Sequence, residues 1–426
     1  MSQVLPPQSE SCNPSDYAYR RETCRLCDSR DLQVVLPLTP TPLADAYVSA
    51  EHVEREQPVF PLDLYMCNDC GFSQLLDVVQ PQAIYFDYIY ETKSSLGLVE
   101  HFGRYADEVT GRIQPAEGDL VVDIGSNDGS LLRFFKNKGL RVLGVDPARE
   151  IARSATEAGI PTLSELFTSE LVEQIKQEHG PATIVSANNL FANVDDLAAM
   201  TDAIRELLAD DGVFVFESFY LDDLLKNMVF DFIYHEHLSA FAVTPLDTFF
   251  RSRGMQLIDV QRVPTKGGSL RYTAQAIGGP REVSPSVAQM IQHEKDAGTC
   301  NAETFAKFTA RINAAKNDTV ELLKKLKAEG KTVAGYGASA TTTTLLYHFG
   351  IAEYLDYLVD DYASKQNLCS PGDHLPVLPS EVIYDRKPDY ILVIAWRYYE
   401  PIVAKHPNFL KEGGHFIVPL PELKVI

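Results

Sequence analysis

The sequence predicts an α/β protein with three parts: a small N-terminal metal-binding domain, a parallel Rossmann-like sheet in the middle, and a second Rossmann-like domain at the C-terminus. Three observations support this prediction. Two Cys-x-x-Cys pairs lie near the N-terminus, apolar runs alternate with amphipathic runs from residue 119 onwards, and the alternation resumes near residue 332. We expect domains over residues 1–82, 83–280 and 281–426.

The composition argues against two classes of partner. Hydrophobic residues make up 45% of the chain and charged residues 23%, and no run approaches the ~18 apolar residues of a membrane span. The formal net charge of −21 disfavours nucleic acid and anionic membranes, because both require concentrated Lys and Arg. The segment from Met1 to Tyr19 lacks a signal pattern, and the seven cysteines fit a reducing compartment. We therefore expect a cytoplasmic protein without nucleic-acid or membrane partners.

The cysteine pairs indicate a metal site. Cys24 and Cys27, with Cys67 and Cys70, offer four thiolates in two short chelate loops, and a strand-like run at residues 60–66 leads directly into the second pair. Four thiolates are the ligand set of a tetrahedral structural zinc with no open coordination position. One zinc ion per chain is therefore predicted. A disulfide or unligated buried thiols are the alternatives.

The remaining elements follow from the hydrophobic pattern. Short apolar runs predict buried strands, and amphipathic runs predict the helices that cover them. After a tyrosine-rich segment, a helix is predicted through His101, Tyr105 and Val109. The middle domain is then predicted to have strands at 120–124, 141–145, 182–187 and 213–218, helices at 129–138 and 148–158, and an antiparallel pair at 255–263 and 269–276. A helical segment at 284–329 precedes C-terminal strands at 332–335, 355–360, 390–395 and 415–419.

The first strand of the middle domain ends in a glycine-containing turn that suits a cofactor. The strand reaches Asp123 and turns through Gly125 and Gly129, and the next strand ends at Asp146. The turn lacks both Gly-x-Gly-x-x-Gly and Gly-Lys-Ser/Thr, so a dinucleotide or ATP is disfavoured. A ligand with a ribose and no phosphate remains: Asp123 and Asn127 would position an amino-acid tail, and Asp146 would bind two ribose hydroxyls. A structural turn with an incidental acid is the alternative.

These residues resemble those of class I S-adenosylmethionine-dependent methyltransferases. Nearly the whole chain resembles the sugar C-methyltransferases that act on nucleotide-linked keto-sugars and have an N-terminal zinc-binding domain and a C-terminal Rossmann-like domain. The resemblance lies in the cysteine pairs, the segment with Tyr88, Tyr90, Ser94 and Ser95, and residues 121–132, 234–237, 267–271 and 335–340.

The resemblance implies a class I methyltransferase sheet, S-adenosylmethionine as the cofactor, and a nucleotide-linked 4-keto-deoxysugar, with dTDP as the first choice of nucleotide. Asn188 and Ser95 complete the expected cofactor-binding residues. Two positions depart from the family pattern: Asn193 stands where the family often has His, and Thr341 or Thr342 stands where a Lys commonly follows the Gly-Tyr-Gly-Ala turn.

Methylation of carbon requires a base, because a carbon next to a ketone becomes nucleophilic only after it loses a proton and the enolate is stabilised. Within the Tyr-His-Glu-His segment, His237 is the leading candidate, since an ordinary imidazole pKa near 6.5 suits proton abstraction. Glu236 would orient it or share its task. Tyr234 or Tyr88 would donate a hydrogen bond to the ketone oxygen.

Alternatives remain at two motifs. If His235 and His237 lay on one strand they would share a face and could bind a metal. The run Gly335-x-Gly337-x-x-Ala340 imitates a dinucleotide fingerprint, but no clear acidic residue closes a second strand after it. The resemblance assigns this last domain to the nucleotide half of the sugar substrate.

Two other functions stay open from the sequence. One is methyl transfer to oxygen or nitrogen of a small metabolite, which needs neither a histidine base nor a second Rossmann-like domain. The other is a non-catalytic zinc-ribbon scaffold with a degenerate methyltransferase fold. The presence of Asp123, Gly125, Gly129 and Asp146 together argues against the scaffold.

Overall fold

The computed structural model describes residues 17–81, 84 and 97–426. Tyr88 and Ser95 fall outside these residues, so their predicted roles stay predictions. Within the described part, no helix is long and apolar enough to cross a membrane.

The N-terminal module, described over residues 17–81, is built from short strands. They are β1 (Ala18–Arg20), β2 (Leu32–Leu36), β3 (Val48–Ser49), β4 (Leu64–Cys67), β5 (Ser73–Leu75) and β6 (Asp77–Val79). β2, β4 and β5 form an antiparallel sheet, and β1 pairs with β6. The cysteine pairs lie at the ends of these strands, because the first pair precedes β2 and the second begins at the last residue of β4.

The middle of the chain forms a mixed sheet. Its strands are β7 (Leu120–Ile124), β8 (Arg141–Val145), β9 (Thr162–Leu163), β10 (Ala182–Ser186), β11 (Leu208–Phe219), β13 (Met255–Val263) and β14 (Ser269–Ala276). The spatial order is β13-β14-β11-β10-β7-β8-β9. The strands from β7 to β11 run parallel, and β14 runs antiparallel to both its neighbours. This is the class I methyltransferase architecture, so the predicted fold class is confirmed.

Helices cover both faces of this sheet, because every residue of β7 and β10 is buried. The helices are α1 (Leu98–Ile113), α2 (Ser130–Asn137), α3 (Arg149–Glu157), α4 (Ser169–His179), α5 (Leu197–Leu207), α6 (Leu221–Lys226) and α7 (Val243–Ser252). The last two helices lie in the insertion between β11 and β13, which also contains the short strand β12 (Ser239–Ala240).

The C-terminal part repeats the α/β pattern. Its helices are α8 (Pro285–Ala297), α9 (Ala302–Ala328), α10 (Ala340–Phe349), α11 (Val382–Arg386), α12 (Tyr399–Lys405) and α13 (Pro407–Lys411). Its strands are β15 (Val333–Tyr336), β16 (Leu358–Asp360), β17 (Leu368–Cys369), β18 (Val377–Pro379), β19 (Tyr390–Val393), β20 (His415–Val418) and β21 (Lys424–Val425). The sheet order is β18-β16-β15-β19-β20-β21, with all neighbours parallel except β20 and β21.

Two strand pairings connect parts that are distant in sequence. β12, from the insertion, adds to β5 and becomes the edge strand of the N-terminal sheet. β3, from the N-terminal module, pairs with β17 of the C-terminal part. The N-terminal module is therefore bound by backbone hydrogen bonds to both of the other parts.

Predicted strand bounds differ most before prolines and turns. The run predicted at residues 60–66 becomes a ladder strand only at Leu64, because Pro61 has no N–H to donate and Phe60 makes only an isolated bridge to Thr41. The strand predicted at 355–360 begins at Leu358. The strand predicted at 213–218 lies inside the longer β11.

Candidate active site and metal centre

The four cysteines of the N-terminal module come together. Sγ of Cys24 lies 3.6 Å from Sγ of Cys70, Sγ of Cys27 lies 3.6 Å from Sγ of Cys67, and all four sulfurs are within 4.8 Å of one another. A tetrahedron with Zn–S bonds of ~2.3 Å has S–S edges of about 3.8 Å. All four thiols are free of disulfides. The donor set and its spacing therefore fit one structural zinc ion.

The turn after β7 requires glycine at two positions. Gly125 and Gly129 have φ of +70° and +72°, the left-handed region that favours glycine. A Cβ on Gly129 would lie 2.9 Å from the side chain of Ile160, and one on Gly125 would lie 3.3 Å from Leu190. Glycine at these two positions therefore allows the turn to pack closely against Ile160 and Leu190 at the carboxyl end of the sheet.

Asp146 is held by the same turn. Its Oδ2 accepts the N–H of Asn127 at 2.8 Å, and its Oδ1 accepts the N–H of Ala148 at 2.9 Å. Burial raises the pKa of this carboxyl, against the lowering effect of the two N–H groups. Each carboxylate oxygen retains a second lone pair. The carboxylate is therefore fixed in orientation and can still accept two hydroxyl groups, which suits the ribose role predicted for it.

Asp123 and Asn188 are each held in position by a hydrogen bond within the protein. Oδ1 of Asp123 accepts the hydroxyl of Ser186 at 2.6 Å, and burial raises the pKa of this carboxyl to about 7. Asn188 follows β10, and its Oδ1 accepts the N–H of Glu217 at 3.0 Å. The structure thus brings both predicted cofactor residues to the carboxyl end of the sheet and fixes each by a hydrogen bond.

We expect Asp146→Ala to weaken S-adenosylmethionine binding at least about tenfold, because two charge-assisted hydrogen bonds of roughly 1.5–3 kcal/mol each would be lost. Isothermal titration calorimetry measures the effect directly. Asp128→Ala is the control, since Asp128 lies on the same turn and is not among the predicted ligands. A folded Asp146→Ala protein with an unchanged dissociation constant would place the ribose elsewhere.

His237 lies in a turn and is fixed in one tautomer. Its Nδ1–H donates to the carbonyl of Phe232 at 2.7 Å, so Nε2 carries the lone pair. The ring packs against Tyr234 at a centroid distance of 4.0 Å and against Phe219 at 5.0 Å. Burial among these rings lowers the pKa of His237 to about 3. The imidazole is therefore neutral at physiological pH, with its lone pair at Nε2, but its basicity is far below that of the ordinary imidazole on which the sequence prediction rested.

His235 forms its hydrogen bonds with the N-terminal module. Its Nε2–H donates to the carbonyls of Phe60 and Pro61, at 3.3 and 3.2 Å, and burial lowers its pKa to about 4. The two histidines share no strand face, and the four cysteines are the only metal-type cluster among the described residues. The geometry therefore gives no support to a metal site at the histidine pair, and His235 instead attaches this turn to the N-terminal module.

Lys266 was not expected from the sequence. It lies in the turn between β13 and β14 and lines a narrow crevice with Phe219 and Phe232, the rings that contact His237. Burial lowers the pKa of Lys266 to about 8, and it raises that of Glu236 to about 7. The signal in the sequence was the position of Lys266 directly before the quoted Gly267-Gly268 motif.

Arg271, the last residue of that motif, belongs to a buried ionic network. Its Nε donates to Oε1 of Glu217 at 2.8 Å, and Oε2 of Glu217 lies 2.7 Å from Nε2 of His101. The guanidinium also lies 4.2 Å from the ring centroid of Tyr105. Since the backbone N–H of Glu217 donates to Asn188, this network supports the edge of the predicted cofactor site.

The C-terminal sheet corrects one expectation. Asp360 ends β16, its Oδ2 accepts the N–H of Ala338 at 2.6 Å, and its Oδ1 accepts the N–H of Tyr362 at 2.8 Å. The sequence expectation that no acid closes a second strand was wrong, because the strand predicted at 355–360 itself ends at Asp360. Tyr47 of the N-terminal module lies over this turn, with its hydroxyl 3.5 Å from the carbonyl of Ser339.

The departure at residues 341–342 has a local explanation. Thr342 lies in the first turn of α10, where its hydroxyl donates to the carbonyl of Gly337 at 3.1 Å and accepts the N–H of Ser339 at 3.1 Å. The helix start is therefore capped by side chains of its own first turn.

The other departure from the family pattern, Asn193, lies at the end of a short 3₁₀ helix, Phe191–Asn193, beside the turn that contains Leu190.

Three family models match the chain. A zinc binding domain matches residues 24–85, a methyltransferase domain matches residues 99–260, and a C-methyltransferase C-terminal domain matches residues 264–421. The first contains all four cysteines, and the second contains the glycine turn and Asp146.

Similar proteins include C-methyltransferase NovU of Streptomyces niveus, which is 36% identical over 406 residues, 95% of this chain and 97% of that protein. Among solved structures, magnesium protoporphyrin IX methyltransferase of Synechocystis is 16% identical, with 45% of this chain and 91% of that chain covered and a TM-score of 0.33. An S-adenosylmethionine-dependent methyltransferase of Clostridium acetobutylicum is 13% identical, with 47% and 96% covered and a TM-score of 0.34.

The family assignment rests on the long match to NovU and on the three domain matches, and it agrees with the sheet order and with the cysteine cluster. S-adenosylmethionine is the methyl donor of this class, and the zinc site belongs to the N-terminal domain. The chain therefore belongs to the S-adenosylmethionine-dependent C-methyltransferases, with an N-terminal zinc-binding domain, a class I methyltransferase sheet and a C-methyltransferase C-terminal domain.

Proposed function

We propose that the protein methylates C-3 of a nucleotide-linked 4-keto-deoxysugar, with dTDP as the nucleotide, through an enolate. The single observation that carries this proposal is His237, a neutral imidazole whose tautomer is fixed by Phe232 and whose ring packs against Phe219 and Phe232, two residues that line the Lys266 crevice. Carbon methylation needs a base next to the substrate, because the carbon beside the ketone must lose its proton before it can attack a methyl group. The proposed sugar rests on the resemblance of the whole chain.

In the first proposed step, Nε2 of His237 takes the proton from the carbon next to the ketone. The C–H electron pair becomes the enolate C=C bond, and the ketone π electrons move to oxygen. The hydroxyl of Tyr234, whose ring stacks on His237, would donate to that oxygen. Tyr88 is the second proposed donor. Glu236, with its pKa raised to about 7, would orient the base or share the proton.

Lys266 adds a positive charge where the enolate forms. An ammonium group in a low-dielectric crevice stabilises developing negative charge more strongly than one in water. Bound S-adenosylmethionine supplies an electrophilic methyl group, which the nucleophilic carbon accepts. Asp123, Gly125, Asn127, Gly129, Asp146, Asn188 and Ser95 are the residues proposed to hold that cofactor.

The other two parts of the chain take supporting roles in this proposal. We assign residues 1–82 to the zinc-binding domain, 83–280 to the methyltransferase domain and 281–426 to the domain that holds the nucleotide half of the sugar. Trp396 and Arg397 of the last domain contact the buried carboxylate of Asp231 at 2.9 and 3.3 Å. Asp231 lies six residues before His237, so the nucleotide-binding part would be fixed relative to the base.

Labelled S-adenosylmethionine tests this function with a panel of dTDP-, GDP- and UDP-linked 4-keto sugars, followed by location of the methyl group by NMR. We expect a new C–CH₃ bond next to the ketone with a dTDP-linked sugar. A methyl group found on oxygen or nitrogen would favour the small-molecule O- or N-methyltransferase instead. A protein that binds no S-adenosylmethionine by calorimetry would be the non-catalytic scaffold.

We expect Lys266→Arg to move the alkaline limit of methyl transfer upward. The ammonium is charged below its pKa of about 8, so its stabilisation of the enolate is lost as pH rises through that value, whereas a guanidinium stays charged. Of the charges that face Lys266, Glu236 and Glu217 raise this pKa and Arg397 lowers it. The measurement is kcat between about pH 6.5 and 9.5.

Lys266→Met is the companion variant and is expected to lose about 100-fold in kcat with S-adenosylmethionine affinity retained. Lys295→Met, on α8, is the control for removal of a lysine charge. An identical alkaline limit in the wild type and Lys266→Arg would contradict the assignment of Lys266 to the enolate.

A further inference from the structure

Arg25 connects the zinc knuckle to two segments of the active site. It lies between the zinc-ligand residues Cys24 and Cys27, and its side chain is fully buried. Its backbone N–H and its Nη1–H both donate to Oε1 of Gln74, each at 3.1 Å, and Nη1 also donates to the carbonyl of Leu75. On its other side, Nε donates to Oδ1 of Asp195 at 3.0 Å.

The first connection leads to the catalytic base proposed above. Gln74 and Leu75 belong to β5, which pairs with β12, and the N–H of Leu75 donates to the carbonyl of Leu238 at 2.9 Å. Leu238 directly follows His237. His235, on the other side of the base, donates to Phe60 and Pro61 of the same module. The base segment, residues 234–240, is therefore held by the zinc-binding part at both ends.

The second connection leads to the cofactor. Asp195 closes the cofactor loop, residues 188–195, which begins with Asn188 and in which Leu190 lies against Gly125. Asp195 also accepts the hydroxyl of Tyr19 at 2.6 Å and pairs with Arg21 at 3.3 Å. All these donors come from the N-terminal module. A carboxylate that collects several donors from one module fixes the loop to that module.

The cofactor loop also contacts the residue that directly follows the base segment. The ring of Phe191, in the cofactor loop, stacks on the ring of Phe241 at a centroid distance of 5.5 Å. Burial of apolar rings is a non-directional interaction. Arg25 adds a directional constraint, since its planar guanidinium reaches both sides at fixed angles.

We propose that Arg25 is a positioning residue through which the zinc knuckle sets the distance between the base segment and the cofactor loop. This inference rests on the proposed function. In that function the deprotonated carbon must meet the methyl group before the carbon is reprotonated, so the two segments must be aligned. Zinc binding to the flanking cysteines fixes the backbone that carries Arg25. The metal thus acts on methyl transfer through alignment, in addition to its effect on stability.

The test uses Asp195→Asn, which keeps all four cysteines and the side-chain volume. Asp196→Asn is the matched control, since Asp196 is the adjacent residue and only caps α5 through the N–H of Ala199. With one zinc per chain in both proteins, amide hydrogen exchange should accelerate in residues 188–195 and 238–240 of Asp195→Asn only. Arg25→Lys is the second variant and should act in the same direction.

Catalysis supplies the second readout, with the 4-keto sugar that the wild type methylates. In heavy water, deuterium entry at the carbon reports deprotonation, and methyl entry reports alignment. We expect Asp195→Asn to lower methyl transfer per deuterium incorporated by about tenfold to 100-fold, because small displacements of reacting groups have effects of this size. A purely structural loss would reduce both together.

Wild-type amide exchange in both segments of Asp195→Asn and of Arg25→Lys would overturn the inference, whatever the substrate proves to be. An unchanged ratio of methyl to deuterium would also overturn it. Failure of the proposed sugar chemistry would instead show as absence of turnover in the wild type, which leaves the amide-exchange comparison as the deciding measurement.

Discussion

We expect His237→Asn to lower methyl transfer by about 100- to 10,000-fold while S-adenosylmethionine affinity stays close to that of the wild type. A base acts in the transition state, so its loss appears in rate and not in ground-state binding. Asn retains a donor for the carbonyl of Phe232, which His237 contacts at 2.7 Å, but has no nitrogen lone pair for the proton. Single-turnover rates and calorimetry measure the two quantities.

Hydrogen exchange at the substrate carbon makes the same prediction sharper. Wild-type protein in heavy water should introduce deuterium next to the ketone, and His237→Asn should do so far more slowly. His348→Asn is the control, because it removes another buried imidazole that lies outside the base segment, on α10, where its Nδ1 accepts the N–H of Thr39 at 3.3 Å. Wild-type exchange in His237→Asn would assign the base elsewhere, with Glu236 as the next candidate and Tyr234 after it.

Cys67→Ser is the second change with a large expected effect. We expect loss of the zinc ion and a fall in Tm of about 10 °C or more, because a structural zinc contributes directly to folding. Cys67 is buried at the end of β4, the central partner of β2 and β5. Since β12 of the insertion adds to this sheet, the effect should extend beyond the N-terminal module.

Metal analysis and calorimetric unfolding measure this prediction. Cys369→Ser is the control, because Cys369 is also buried but lies in β17, outside the cysteine cluster. We expect that control to keep one zinc per chain. A Cys67→Ser protein with full metal content and wild-type Tm would contradict the four-cysteine site.

Local sequence patterns were sufficient to predict most of the methyltransferase sheet and the four-cysteine site. The strands β7, β8, β10, β13 and β14 lie where the sequence predicted them, and the signal is clearest at β7 and β10, because strands buried on both faces are predominantly apolar. The cysteine cluster was predictable because Cys-x-x-Cys spacing already fixes each chelate pair. The glycine turn and Asp146 were also predictable, because each directly follows a strand that has a clear apolar pattern in the sequence.

Long-range contacts were not predictable in this way. β12 has only two residues and gains its partner from a segment more than 160 positions earlier, so no local periodicity marks it. Asp360 ends a three-residue strand and accepts the N–H of Ala338, 22 positions earlier, and Lys266 takes its position from the fold of a hairpin turn. Arg25 has no distinguishing feature in the sequence. Only its buried hydrogen bonds to Gln74 and Asp195 show which two segments it connects.

The pairing of β5 with β12 has a consequence for synthesis on the ribosome. All four zinc ligands have been made once Cys70 is added, but the strand that completes the sheet arrives only with Ser239, about 170 residues later. At ~5–20 residues per second the nascent chain exposes the open edge of β5 for roughly 8–30 seconds. An open strand edge invites pairing with other chains. The N-terminal sheet therefore keeps an open edge until the insertion has been made, even when the four cysteines already hold their metal.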